Sequence, residues 1–109
     1  MKDPIDSRRL LAFYTLAQVN SFTEAGRLLG RTQSAISHAI LGLERELGTR
    51  LFRRHRIRST LTEAGEQLLA HAVRILAHMQ QAREEIRASS GGRLPPGRVE
   101  RARFRPDGS

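Results

Sequence analysis

A mainly α fold is predicted, in which three short helices and a small β-wing precede one long helix. Three observations lead to it. No proline interrupts the chain between Pro4 and Pro95, so the backbone there keeps the donors that helices need. Hydroxyl side chains and glycines fall where helices would start and stop, Ser21, Thr32 and Thr62 as caps and Gly30 and Gly48 as stops. Late in the chain, Leu68, Ala72, Ile75, Met79, Ala82 and Ile86 recur at alternating spacings of four and three, the pattern of a helix with one apolar seam. At 109 residues the chain holds one domain with a small core.

Ile5, Leu10, Phe13, Tyr14, Leu16 and Ala17 share helical spacing, which predicts a first helix over 5–18 that ends before Val19. A second begins after Ser21, where Glu24 three residues on completes a capping-box pattern. It directs Phe22, Ala25, Leu28 and Leu29 to the core and stops at Gly30. Only Arg31 separates that stop from Thr32, the cap of a third helix. Two helices joined so tightly leave at a large angle, the helix-turn-helix geometry.

In the third helix Ala35, Ile36, Ala39, Ile40, Leu43 and Leu47 form the apolar stripe. Gln33, Ser34, Ser37 and His38 fall near its start or on the opposite side. Gly42 lies within it at a cost of about 1 kcal/mol relative to alanine, so close packing needs its size or the helix tolerates the loss. Past Gly48, Leu51 and Phe52 anchor a segment in which 56–61 alternates as a strand does. Either a small β-wing or a short arginine-rich loop accounts for it. Thr62 caps the long helix, whose seam extends back to Gly65 and Leu61. A lone helix of that length cannot bury its stripe on so small a domain, which predicts a symmetric dimer. The alternative is that it folds back on its own domain, with Leu69 and Leu76 as a second apolar edge. From Gly91 onward, paired glycines and prolines and five arginines predict a disordered basic tail.

Cysteine is absent, which excludes disulfides, thiolate zinc sites and thiol nucleophiles. The four histidines, His38, His55, His71 and His78, lack paired acidic ligands, so neither metal nor cofactor is expected. His71 and His78 are expected to be exposed helix residues. No signal peptide or membrane span is legible near the start, so a cytoplasmic protein is expected. No nucleophile, base and orienting group share a usable spacing, so the chain is not expected to be an enzyme. The formal charge of +8, from 19 basic and 11 acidic residues, favours an anionic partner.

The position of the arginines separates a duplex from a membrane surface. Arg50, Arg53, Arg54, Arg56 and Arg58 crowd into 50–58 with no acid among them, directly after the third helix. A helix in a major groove beside a loop that clamps phosphates fits that order. Gln33 has the paired donor and acceptor that match adenine, while Ser34, Ser37 and His38 suit base edges or phosphates. Phosphate or minor-groove contacts are expected at Ser21, Thr23, Arg31, Thr32, Arg53, Arg54 and Arg56. Leu68, Ala72, Ile75, Met79, Ala82 and Ile86 are expected to dimerise the chain.

From residue 8 to 88 the sequence resembles the N-terminal DNA-binding domain and linker helix of LysR-type bacterial transcriptional regulators. The blocks that carry the resemblance are SFTEAGRLLGRTQSAISHAILGLERELGTRLFRR and LTEAGEQLL. It implies a winged helix-turn-helix over 1–61, a linker and dimerisation helix over 62–89, and a tail over 90–109. It places Gln33, Ser34, Ser37 and His38 in the base-contacting part of the recognition helix and Arg53 and Arg54 in the wing. Ser34 stands where members often have proline, Gly26 where they often have alanine, and His38 where arginine is common. Members of the family continue into an effector-binding domain, for which these residues leave no room. The resemblance therefore implies a truncated member, a fragment or a frame change near residue 94, with no small-molecule effector site. The expected function is sequence-specific binding of double-stranded DNA as a homodimer. The alternative is a dimerisation module that forms inactive heterodimers with full-length relatives.

Overall fold

The computed structural model describes residues 3–55 and 59–89. The order of elements is α1 (Ser7–Val19), α2 (Phe22–Leu29), α3 (Gln33–Leu47), β1 (Phe52–Arg54), β2 (Ser59–Leu61) and α4 (Glu63–Ser89). These residues fall into two units, divided between Ala77 and His78. The predicted tail and the wing residues Arg56, Ile57 and Arg58 lie outside the described residues.

Each helix start has a side chain that takes up one of the four backbone N–H groups a helix leaves unpaired. Asp6 accepts the Arg8 N–H at 2.8 Å, which moves the start of α1 two residues later than periodicity predicts. Ile5 therefore lies outside the helix, although it still packs on the core. The helix also runs through Val19 and closes at Asn20, which takes the left-handed conformation at φ 56°. Ser21 Oγ accepts the Glu24 N–H at 3.1 Å, as the capping pattern predicts. The Glu24 carboxylate turns to the Arg27 guanidinium instead of back toward Ser21. Thr32 caps α3 and Thr62 caps α4, each accepting at 3.0 Å from the N–H three residues on.

Leu10, Phe13 and Leu16 of α1 meet Ala25 of α2 and Ile36, Ile40 and Leu43 of α3, and Leu51 and Phe52 close the core from below. The rings of Phe13 and Phe52 lie tilted with centroids 5.5 Å apart, one of the favoured aromatic arrangements. Two residues expected in the core fall outside it: Leu28 of α2 is 51% exposed and Leu47 of α3 is 38% exposed. A Cβ on Gly42 would come 3.0 Å from the Arg9 guanidinium, the far end of a flexible and part-exposed side chain that can give by a few tenths of an ångström. That guanidinium continues to Glu46, 3.4 Å away.

The arginine-rich segment is a wing and not a loop alone. Phe52 pairs with Leu61, Arg53 with Thr60 and Arg54 with Ser59 in an antiparallel ladder. Thr62 then fastens α4 beneath it, its N–H donating to Leu51 O at 3.0 Å and its Oγ1 to Arg50 O at 2.8 Å.

That anchorage corrects the predicted seam. Gly65 is buried, and a Cβ there would meet Leu51 O at 2.2 Å. Ala72 is fully buried and belongs to the core of its own chain, with Leu68 half-buried against it. A repeat of four and three suits packing on one's own domain as well as on a twin, so periodicity alone did not divide the two. Later in the same unit Val73 and Ile75 are exposed. In the second unit Met79, Ala82 and Ile86 are exposed. No helix among the described residues is long and apolar enough to cross a membrane.

Candidate nucleic-acid interface

The turn between α2 and α3 sets the geometry of the site. Gly30 closes α2 in the left-handed conformation at φ 67°, and the Arg31 N–H returns to Gly26 O at 2.8 Å. The approach is so close that a Cβ on Gly26 would lie 2.6 Å from Arg31 O. This tight closure brings the N-terminus of α2 beside that of α3. Thr23 Oγ1 accordingly donates to Gln33 Oε1 at 3.3 Å.

Of the residues expected to read bases, Gln33, Ser34 and His38 are exposed and Ser37 is half-buried. The buried stripe of Ile36, Ile40 and Leu43 occupies the other side of α3. Spacings of four, three and four carry the exposed face onward from Ser34 and His38 to Leu41 and Arg45. Sequence reasoning missed the last two. Helical spacing from Ser34 was the available signal.

Residues expected at phosphates divide into three groups. Ser21 and Thr32 each accept one capping N–H, which leaves the hydroxyl proton available as a donor, whereas Thr23 has given its proton to Gln33. Arg31 is half-buried and lines a cleft of about 340 Å³ with Asp6, Arg8, Arg9 and His38. The wing arginines are unlike one another. Arg53 is exposed, and no described carboxylate pairs with it. Arg54 lies over the Phe22 ring, 5.2 Å from its centroid, and 3.8 Å from Glu44. Arg56 lies outside the described residues.

Glu44 is the structural residue that the sequence concealed. Although charged, it is only 6% exposed. Its Oε2 accepts the N–H groups of Leu51 at 2.8 Å and Phe52 at 3.3 Å, and Arg50 and Arg54 stand 3.8 Å away. One carboxylate on α3 thus fixes the base of the wing, in keeping with the rule that buried charge is paired and hydrogen-bonded. The carboxylates of Asp6 and Glu24 are held below their usual range. A backbone hydrogen bond from Arg8 does this chiefly for Asp6, and a side-chain hydrogen bond from Arg27 chiefly for Glu24.

Residues 7–66 match the profile of the bacterial regulatory helix-turn-helix proteins of the lysR family. This chain belongs to the lysR family. Among relatives of this LysR-type protein, an uncharacterized HTH-type transcriptional regulator in the ibpB-leuC intergenic region of Azotobacter vinelandii is 42% identical over 93 residues, or 83% of the chain. The HTH-type transcriptional regulator HdfR of Escherichia coli is 40% identical over 79% of the chain. The chain spans 65% of the first relative's length and 31% of the second's.

Solved structures agree with this membership. The DNA-binding domain of BenM, in complex with catB site 1 DNA, superposes with a TM-score of 0.76 at 27% identity, covering 82% of this LysR-type chain and 99% of that one. That of CbnR, also on DNA, gives 0.73 at 29% identity, covering 78% and 98%. Vibrio fischeri DarR in complex with DNA gives 0.75 at 28% identity, covering 82% of this chain and 30% of that one. The architecture is that of the family's winged helix-turn-helix domains with a long C-terminal helix.

Proposed function

We propose that this chain binds double-stranded DNA in a sequence-dependent way and regulates transcription by occupying its sites. The observation that carries the proposal is the exposed polar face at the start of α3, Gln33, Ser34 and His38, with an exposed Arg53 on the wing that Glu44 fastens to the same helix. The face enters a major groove, where Gln33, Ser34, Ser37 and His38 meet base edges. Ser21, Arg31, Thr32 and Arg53 hold phosphates and set the register, while Thr23, whose hydroxyl proton goes to Gln33, positions that side chain. Arg54 contributes mainly by bracing the wing. The solved DNA complexes of CbnR and BenM domains support this reading.

The test is selection from a pool of random duplexes with wild type and Gln33→Ala. Wild type is expected to enrich a defined site, and the variant to bind with a flattened ranking. An unchanged ranking would overturn base reading by Gln33, and no enrichment by wild type would overturn the function.

A homodimer formed through α4 is proposed with it, supported by the exposure of Ile75 at 41% in the first unit and Met79 at 48% in the second. Burying apolar side chains of this size against a partner lowers the free energy relative to leaving them in water. The same surface suits heterodimers with longer relatives. Light scattering on Ile75→Asp is expected to show a monomer, and an undiminished dimer mass would refute this role.

A further inference from the structure

We propose that Leu41 reads the C5-methyl group of a thymine in the major groove, which makes it a specificity-determining residue of the recognition helix. The inference rests on the DNA-binding reading above and names a base feature that its polar residues do not recognise. Leu41 departs from the pattern of α3. The core stripe Ile36, Ile40 and Leu43 is fully buried, whereas Leu41 is 38% exposed and shares the outward face with Ser34, His38 and Arg45. It lines a groove of about 490 Å³ with Arg45, Gly48, Thr49, Arg50 and Glu44.

An apolar side chain set among two cations has one kind of counterpart on a duplex. Arg45 draws phosphates to the rim of the groove, and Arg50, 66% exposed although it also stands 3.8 Å from Glu44, adds to that charge. Among major-groove base edges, the thymine C5-methyl is the apolar feature. Docking takes water from the leucine and the methyl together, whereas a cytosine or purine edge opposite Leu41 would lose hydrogen bonds to water and regain none. Leu41 follows Ser34 by seven residues, about 10 Å of helix axis, or roughly three base-pair steps if α3 follows the groove. The methyl it reads is therefore at a different position from the base beside Ser34.

The experiment uses the duplex most enriched by wild type from the random pool, with each thymine replaced singly by deoxyuridine. This removes the methyl and keeps Watson–Crick pairing. At the thymine facing Leu41, wild type is expected to bind the deoxyuridine duplex about fourfold more weakly, the worth of one buried carbon. Leu41→Ala is expected to bind both duplexes equally, and 5-methylcytosine at that position in place of cytosine to restore part of the wild-type preference. Circular dichroism checks that the exposed substitution leaves the fold intact, and Leu41→Gln serves as a second variant of similar length. A wild type indifferent to every substitution, or a Leu41→Ala protein with the same preference as wild type, overturns the proposal and leaves DNA binding standing. Failure of wild type to enrich any duplex removes both.

Discussion

Replacing Glu44 by alanine isolates the contact on which the wing depends. The carboxylate is nearly excluded from water at 6% exposure, and its removal leaves two N–H groups in buried residues, Leu51 and Phe52, without their acceptor. A buried donor left unpaired costs about 1–3 kcal/mol. The Leu51 bond at 2.8 Å warrants the middle of that range and the Phe52 bond at 3.3 Å its lower end. The arginines add little, since each stands 3.8 Å away and Arg50 is 66% exposed. The expected loss is about 2–4 kcal/mol, a large share of the roughly 5–15 kcal/mol by which such domains are stable. Glu44→Gln keeps an acceptor oxygen and is expected to lose about half as much. Urea titration followed by far-ultraviolet circular dichroism measures both, and the slope reveals any change in surface exposed on unfolding. The difference should persist in high salt, because hydrogen bonds and not ion pairs carry it. A Glu44→Ala protein within about 0.5 kcal/mol of wild type would refute the reasoning.

Substituting the two wing arginines should give two different phenotypes. Arg53→Ala is expected to weaken binding to all duplexes alike and lower the salt slope by about one unit, while Arg54→Ala, which removes the contacts to Phe22 and Glu44, lowers the urea midpoint. Equal salt slopes for the two variants would contradict that division. Gly65→Ala drives a methyl against Leu51 O and Leu61 Cδ2, at 2.2 and 2.8 Å, and should cost about 3 kcal/mol in urea titration; a neutral result would show that α4 shifts freely. Acid should loosen α1 and α2 through Asp6 and Glu24. Both carboxyls titrate below their usual range when folded, so their stabilisation is present at neutral pH and is lost as pH falls through the folded values. Asp6→Asn keeps a capping side chain and should lose part of the acid sensitivity of the helical signal, whereas identical acid profiles would remove Asp6 from the account.

Helix ends were legible because capping is local: Ser21, Thr32 and Thr62 act on backbone within three residues. The polar face of α3 was legible for a similar reason, since helical periodicity puts Ser34 and His38 opposite Ile36 and Ile40. Glu44 was not, because its partners are backbone groups seven and eight residues on and become neighbours only after the chain turns back. The same turn separates Arg53 from Arg54, which composition treats alike. In α4 the period marks which residues face inward, yet it does not name the surface that covers them. Ala72 found it in its own core.

Thr62 is a joint as well as a cap. Its backbone and side chain hold Leu51 and Arg50 while its hydroxyl oxygen receives the first turn of α4, and Leu51 passes the connection to α3 through Glu44. The first turn of α4 is thereby linked to α3 through a short train of hydrogen bonds. Under the proposed mode of binding, a twist applied at the base of α4 would therefore reach the helix that meets the groove, even with every side chain assigned to DNA left as it is.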